Sequence, residues 1–179
     1  ENKDKLLEYL KNGYSVGLVS DRGTPVISDP GYELAQVAIE NNYNVVSLPG
    51  ATALIPALTV SGIEPMPFLY YGFLNSKESK RKKELENLKN IKYTMIFYEA
   101  PHRIIKTLNM MLEVFGNREI SISREITKKF ESIYRGKLED VIKIVPEKGE
   151  FVIVVEGNKL SNIDFNLSID TFPILYKVF

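Results

Sequence analysis

The 179 residues are 44% hydrophobic and 26% charged, enough to bury a core in one large domain or two small ones. Lysine plus arginine and aspartate plus glutamate both total 23, which argues against a globally basic nucleic-acid binder and leaves any cationic surface local. The lack of Cys excludes disulfides and thiolate metal sites, a single His argues against zinc, and no apolar run reaches the roughly 20 residues of a membrane span. No metal or membrane partner is expected, and the absence of Cys fits a cytoplasmic protein.

In chain order, Asn2 is placed to cap a helix carrying Leu6, Leu7 and Leu10 on one face and stopped by Gly13. A strand is predicted at 14–20, whose consecutive apolar positions 16–19 have the pattern of a strand covered on both faces. Asp29-Pro30 has the form of an N-cap followed by proline at the first helical position, predicting a helix to about Asn41. A Val-rich strand is predicted at 44–48 and a helix over 53–61, where Pro56 requires a start no earlier than about Ala53. Gly62-Ile63-Glu64-Pro65-Met66-Pro67 forbids a regular element and is a candidate hinge. Beyond it the pattern predicts strands at 68–73, 93–98, 119–124, 129–135 and 151–156, and helices at 79–89, 102–115 (closed by Gly116) and 138–145. Strands and helices alternating on both sides of the hinge predict an α/β protein of two lobes, 1–64 and 68–157, with a cleft between them and an irregular tail at 158–179. The sequence opens Glu1-Asn2-Lys3 without an initiator Met, and a fragment of a longer protein is expected.

Ligands of open α/β sheets bind outside the carboxyl ends of strands. Here small and polar residues repeatedly follow the apolar runs: Ser20-Asp21-Arg22-Gly23-Thr24-Pro25, Pro49-Gly50-Ala51-Thr52-Ala53, Tyr71-Gly72-Phe73-Leu74, Phe97-Tyr98-Glu99-Ala100-Pro101-His102-Arg103, Arg124-Glu125-Ile126-Thr127-Lys128 and Lys148-Gly149-Glu150. Small residues let a ligand approach the backbone, and Thr, Glu and Arg hydrogen-bond its polar ends. No phosphate-cradling G-x-x-x-x-G-K-[ST] or G-x-G-x-x-G is present. Glu99 and His102 could form an acid/base pair or cap the following helix. Lys77, Lys80, Arg81, Lys82, Lys83, Lys89 and Lys92 outnumber Glu78, Glu84 and Glu86, which is either a solvated helix face or a contact for a phosphate backbone. Leu85 and Leu88 would anchor that helix, with its cations facing outward.

S-D-R-G-T-P-V-I-S-D-P-G-Y, L-P-G-A-T-A, Y-G-F-L, F-Y-E-A-P-H-R, S-R-E-I-T-K and K-G-E-F-V-I-V-V-E-G occur in one order and at consistent spacings between about Leu6 and Gly157. Together they resemble the tetrapyrrole methylase superfamily, and within it the group of ribosomal small subunit methyltransferases that methylate a cytidine ribose 2′-oxygen in 16S ribosomal RNA. The resemblance implies a two-lobed tetrapyrrole methylase-like fold, a homodimer, and S-adenosylmethionine in the interlobe cleft. It implies cofactor contacts from Asp21, Gly23, Thr24 and Val26, from Thr52 and Ala53, and from Tyr98, Arg124, Glu125, Gly149 and Glu150. Lys77, Lys80, Arg81, Lys82, Lys83, His102 and Arg103 become candidates for RNA binding.

Members of this group usually begin with a further strand and a T-P-I-G-N-L-type loop, followed by E-D-T-R; neither occurs in this sequence. A lobe without its first strand would expose a sheet edge, open to pairing between chains. Within the first motif, Gly23-Thr24-Pro25 shapes the wall beside a ligand and Asp29-Pro30-Gly31 starts the next helix. Methyl transfer to a ribose hydroxyl needs the oxygen in line with the methyl group and assistance in losing its proton. Glu99, His102, Glu125 and Lys128 are the candidates. A tetrapyrrole or other small-molecule acceptor, and a non-enzymatic scaffold, are the alternatives.

Overall fold

The computed structural model describes residues 2–159; the tail expected at 158–179 falls, from residue 160 onward, outside them. The chain divides into two compact units, one ending at Thr52 and the other beginning at Ala53.

The first unit is built on α1 (Asn2–Lys11) and α2 (Tyr32–Glu40). These helices pack together and are joined by an ion pair of Lys3 with Glu33 at 2.7 Å. The chain leaves α1 through Gly13, whose φ of +81° a side chain would oppose. The strands predicted at 14–20 and 44–48 do not form. A strand exists only through its ladder, and among the described residues neither segment has a partner; Val19 and Leu48 are 85% and 80% exposed. The start of α2 also differs from prediction. Gly31, at φ +131°, is its N-cap, so Asp29 and Pro30 lie outside the helix. That φ is incompatible with a helix running on from Pro30.

The second unit contains α3 (Leu54–Thr59), β1 (Phe68–Phe73), α4 (Glu78–Leu88) and β2 (Thr94–Glu99), then a 3-10 turn at Pro101–Arg103 and α5 (Ile104–Phe115). β3 (Glu119–Arg124), β4 (Ser132–Lys137), α6 (Leu138–Val141) and β5 (Phe151–Val155) complete it. Residues 61–67 form no regular element. β4 begins three residues later than predicted because Glu125 and Thr127 adopt positive φ and Glu131 N–H closes a turn on Lys128 O. α6 makes one helical turn and continues to Ile144 as turns, halted before Pro146.

The sheet order is β1-β2-β5-β3-β4. β1 and β2 are parallel; β5 lies antiparallel between β2 and β3, and β4 is antiparallel to β3 at the other edge. Met95, Phe97, Ile120, Ile122, Phe151, Ile153 and Val155 face the larger core with α4, α5 and α6. Ile96, Val152 and Val154 face the smaller core under Ala57 and Leu58 of α3. Both faces are covered, which explains the near-continuous apolar runs of β2 and β5. After β5, Gly157 passes so close to Lys92 that a Cβ would collide with backbone, and Asn158 N–H bonds Ile91 O at 2.7 Å.

Candidate active site

Glu99 of β2 pairs with Phe151 of β5, and Phe151 pairs with Arg124 of β3. The end of β2, the end of β3 and the start of β5 therefore share one margin of the sheet. That register brings Tyr98, Glu99, Arg124, Glu125, Gly149 and Glu150 to one place, although 52 residues separate Tyr98 from Glu150 in sequence.

Glu99 is anchored inward. Its Oε1 accepts Ala100 N–H at 2.7 Å and Arg103 Nε and Nη2 at 2.9 and 2.6 Å, and its Oε2 accepts Thr107 Oγ1 at 2.6 Å. Its side chain is 1% exposed and that of Arg103 15%. Arg103 also donates to Leu74 O at 3.4 Å. This carboxylate ties the 3-10 turn to both β2 and α5. Thr107, absent from the predicted site, betrays itself only as a polar residue on the buried face of α5 beside Leu108 and Met111.

Glu125, Lys128 and Glu150 form a second cluster. Lys128 Nζ lies 2.6 Å from Glu150 Oε2 and 3.3 Å from Glu125 Oε1, which also accepts Glu150 N–H at 2.7 Å. Glu125 N–H returns a bond to Glu150 O at 2.9 Å. Gly149 has φ +105°, and a Cβ there would stand 2.8 Å from Glu125 Cγ, so only glycine lets the two loops close. Arg124 donates through Nε to Lys148 O and through Nη1 to Phe130 O, joining the loops on either side. His102 is exposed on the 3-10 turn and, among the described residues, its ring has no hydrogen-bond partner.

Within the first unit, the Asp21–Val26 loop meets the loop after residue 48. Thr24 Oγ1 donates to Ala51 O at 3.0 Å, Ser20 Oγ to Gly23 O at 2.8 Å, and a Cβ on Gly23 would stand 3.5 Å from Ala51 O. Val26 sits at φ +75°, an outlying conformation for a β-branched residue and one that clusters at ligand sites. Asp21 is exposed; Thr52 closes this unit and Ala53 caps α3 in the other.

Two of the predicted RNA-binding cations are turned inward. Arg81 is 3% exposed, because positions 81, 85 and 88 share the face of α4 that packs on the core. Arg103 is held by Glu99 as described. Lys82 is paired with Glu113 at 2.6 Å. Lys77, Lys80 and Lys83 remain exposed. Among the described residues no three His, Asp or Glu side chains converge as a metal site would require, and no helix is long and apolar enough to cross a membrane.

The second unit is thus a mixed sheet with polar loops gathered at one end. The chain superposes on a solved uroporphyrin-III C-methyl transferase from Thermus thermophilus, complexed with S-adenyl homocysteine, with a TM-score of 0.56 and 17% identity. That superposition covers 84% of this chain and 70% of that one. Residues 1–142 match the model of the Tetrapyrrole (Corrin/Porphyrin) Methylases, and the chain belongs to that family. It is 49% identical over 163 residues to the ribosomal RNA small subunit methyltransferase I of Bacillus subtilis (strain 168), covering 89% of this chain and 56% of that protein. It is 46% identical over 157 residues to the protein of that name in Halalkalibacterium halodurans, covering 86% and 54%. The chain thus spans about half the length of these relatives.

Proposed function

We propose that the protein carrying this chain is an S-adenosylmethionine-dependent methyltransferase of 16S ribosomal RNA that methylates the 2′-oxygen of a cytidine ribose. The observation that carries the reading is the 46–49% identity to relatives named ribosomal RNA small subunit methyltransferase I. The protein works as a homodimer, as the resemblance implies, and in the cytoplasm, which the lack of Cys fits.

The residues of the first unit suit the donor. Gly23, Gly50 and Ala51 line a turn without bulky side chains, Asp21 offers a carboxylate to an ammonium group, and Thr24 is fixed by Ala51 O. When bound, S-adenosylmethionine supplies an electrophilic methyl group on a sulfonium. In the second unit, Glu99 is a positioning residue, since both its oxygens are taken by chain partners. Lys128 Nζ is engaged by the carboxylates of Glu125 and Glu150 and serves to hold their two loops together. His102 remains exposed and unpartnered among the described residues, and it takes the ribose hydroxyl proton at a ring nitrogen. Lys77, Lys80 and Lys83 hold the RNA backbone without reading sequence.

The test incubates the natural-length protein with small ribosomal subunits lacking the modification and with methyl-labelled donor. Label at a cytidine ribose of 16S RNA is expected; an unlabelled RNA rejects the assignment. His102→Ala should lower kcat by about a hundredfold or more with donor affinity unchanged.

A further inference from the structure

We propose that Phe73 is a stacking platform for a nucleobase of the RNA acceptor, an inference that rests on the reading of RNA as substrate. Along β1, Leu69 and Tyr71 face the larger core, and Phe68 and Tyr70 the smaller. A period of two would send Phe73 to the same side as Tyr71. The register instead slips: Tyr70 stands opposite Ile96, Gly72 opposite Phe97 and Phe73 opposite Tyr98. One extra residue at this bulge, with Gly72 at φ +82°, moves Phe73 to the face of Tyr98.

There Tyr98 stands between two rings, 5.2 Å from Tyr70 and 5.6 Å from Phe73, each contact edge-on at 69°. Phe73 is the outermost of the three and stays 52% exposed. The bulge takes a large apolar side chain out of the core pattern and leaves it half in water at the margin that carries the candidate site. Four residues later the chain reaches Lys77 and enters α4, with Lys80 and Lys83 exposed along it. Of the interspersed carboxylates, Glu84 is engaged by Asn75 N–H at 2.8 Å, while Glu78 and Glu86 stay on the helix. An aromatic ring at the foot of a lysine-bearing helix suits single-stranded nucleic acid, whose bases stack while its phosphates meet cations. The adenine of a methyl donor would have no use for the lysines.

The experiment uses the natural-length protein with Phe73→Leu, which keeps an apolar side chain but loses the π-face, and Phe73→Trp, which restores it. Quenching of 2-aminopurine in a single-stranded oligoribonucleotide reports stacking, fluorescence anisotropy reports RNA affinity, and calorimetry reports donor affinity. Phe73→Leu should abolish the quenching and weaken RNA binding about tenfold or more, Phe73→Trp should restore both, and donor affinity should stay constant. The inference is overturned if wild type does not quench, if Phe73→Leu binds RNA as wild type does, or if donor affinity falls in step with RNA affinity. These readouts do not require methyl transfer. A wild type that quenches but leaves 16S RNA unlabelled supports the stack and sinks the proposed reaction. A labelling wild type with an unaffected Leu variant sinks the stack alone.

Discussion

Replacing Arg81 with methionine should make the second unit more stable. Arg81 is 3% exposed, and its Nε and Nη1 have no hydrogen-bond partner among the described residues. An unsatisfied buried donor costs about 1–3 kcal/mol, and replacing buried ionic groups by apolar residues of similar volume is often neutral or stabilising by about 1–4 kcal/mol. Methionine keeps a flexible stem beside Leu85 and removes both orphaned donors, so a gain of about 2 kcal/mol is expected. For a chain of this length that raises Tm by about 4–8 °C. The chain has ten Tyr and no Trp, so near-UV circular dichroism of the tyrosines follows the melt. An unchanged or lower Tm in Arg81→Met would refute the reasoning, because it would mean that the guanidinium is satisfied as it stands.

Glu99→Gln should cost about 3 kcal/mol, measured as a fall in urea midpoint at constant m, because it leaves Arg103 without its counter-charge; the double variant with Arg103→Met should lose less than the sum of the two single changes. Ser123→Ala should be neutral or stabilising by up to about 1 kcal/mol in the same assay, since the buried Oγ of Ser123 has no partner among the described residues. Tyr71 should ionise above the ordinary tyrosine range, raised first by burial and then by the Glu84 carboxylate. The folded state therefore holds that proton more tightly than the unfolded state. Its stabilising contribution is complete below about pH 10 and is lost as pH rises through the folded value. Absorbance titration at alkaline pH should show a late-titrating phenol in wild type that is lost in Tyr71→Phe.

Much of the second unit was legible because β2 and β5 are near-continuous apolar runs, β3 alternates, and α4 and α5 carry spaced leucines. β1 and β3 fall where period and β-propensity put them, and Gly116 closes α5 as expected. The runs at 14–20 and 44–48 have the same composition, but a ladder depends on a neighbour that local composition does not specify. Arg81 was assigned to the surface on charge alone, although its spacing from Leu85 and Leu88 puts it on the buried face. The clustering of polar loops at strand ends was visible in the motifs. The division of labour within them was not, since the partners of Glu99 include Thr107, eight residues away, and those of Lys128 include Glu150, 22 residues away. Nothing in the local pattern around Tyr71-Gly72 announces the register slip that reorients Phe73.

The strand order has a consequence for biosynthesis. Among the described residues β5 is the last strand of its sheet to be made, yet it occupies the middle position, buried along its whole length between β2 and β3. Until Phe151–Val155 leaves the ribosome, β2 and β3 have no bridge and their facing backbone groups stay open to water or to other chains. Closure of this sheet is thus a late and concerted event, and nascent chains arrested before residue 151 should depend on chaperones where chains that include β5 do not.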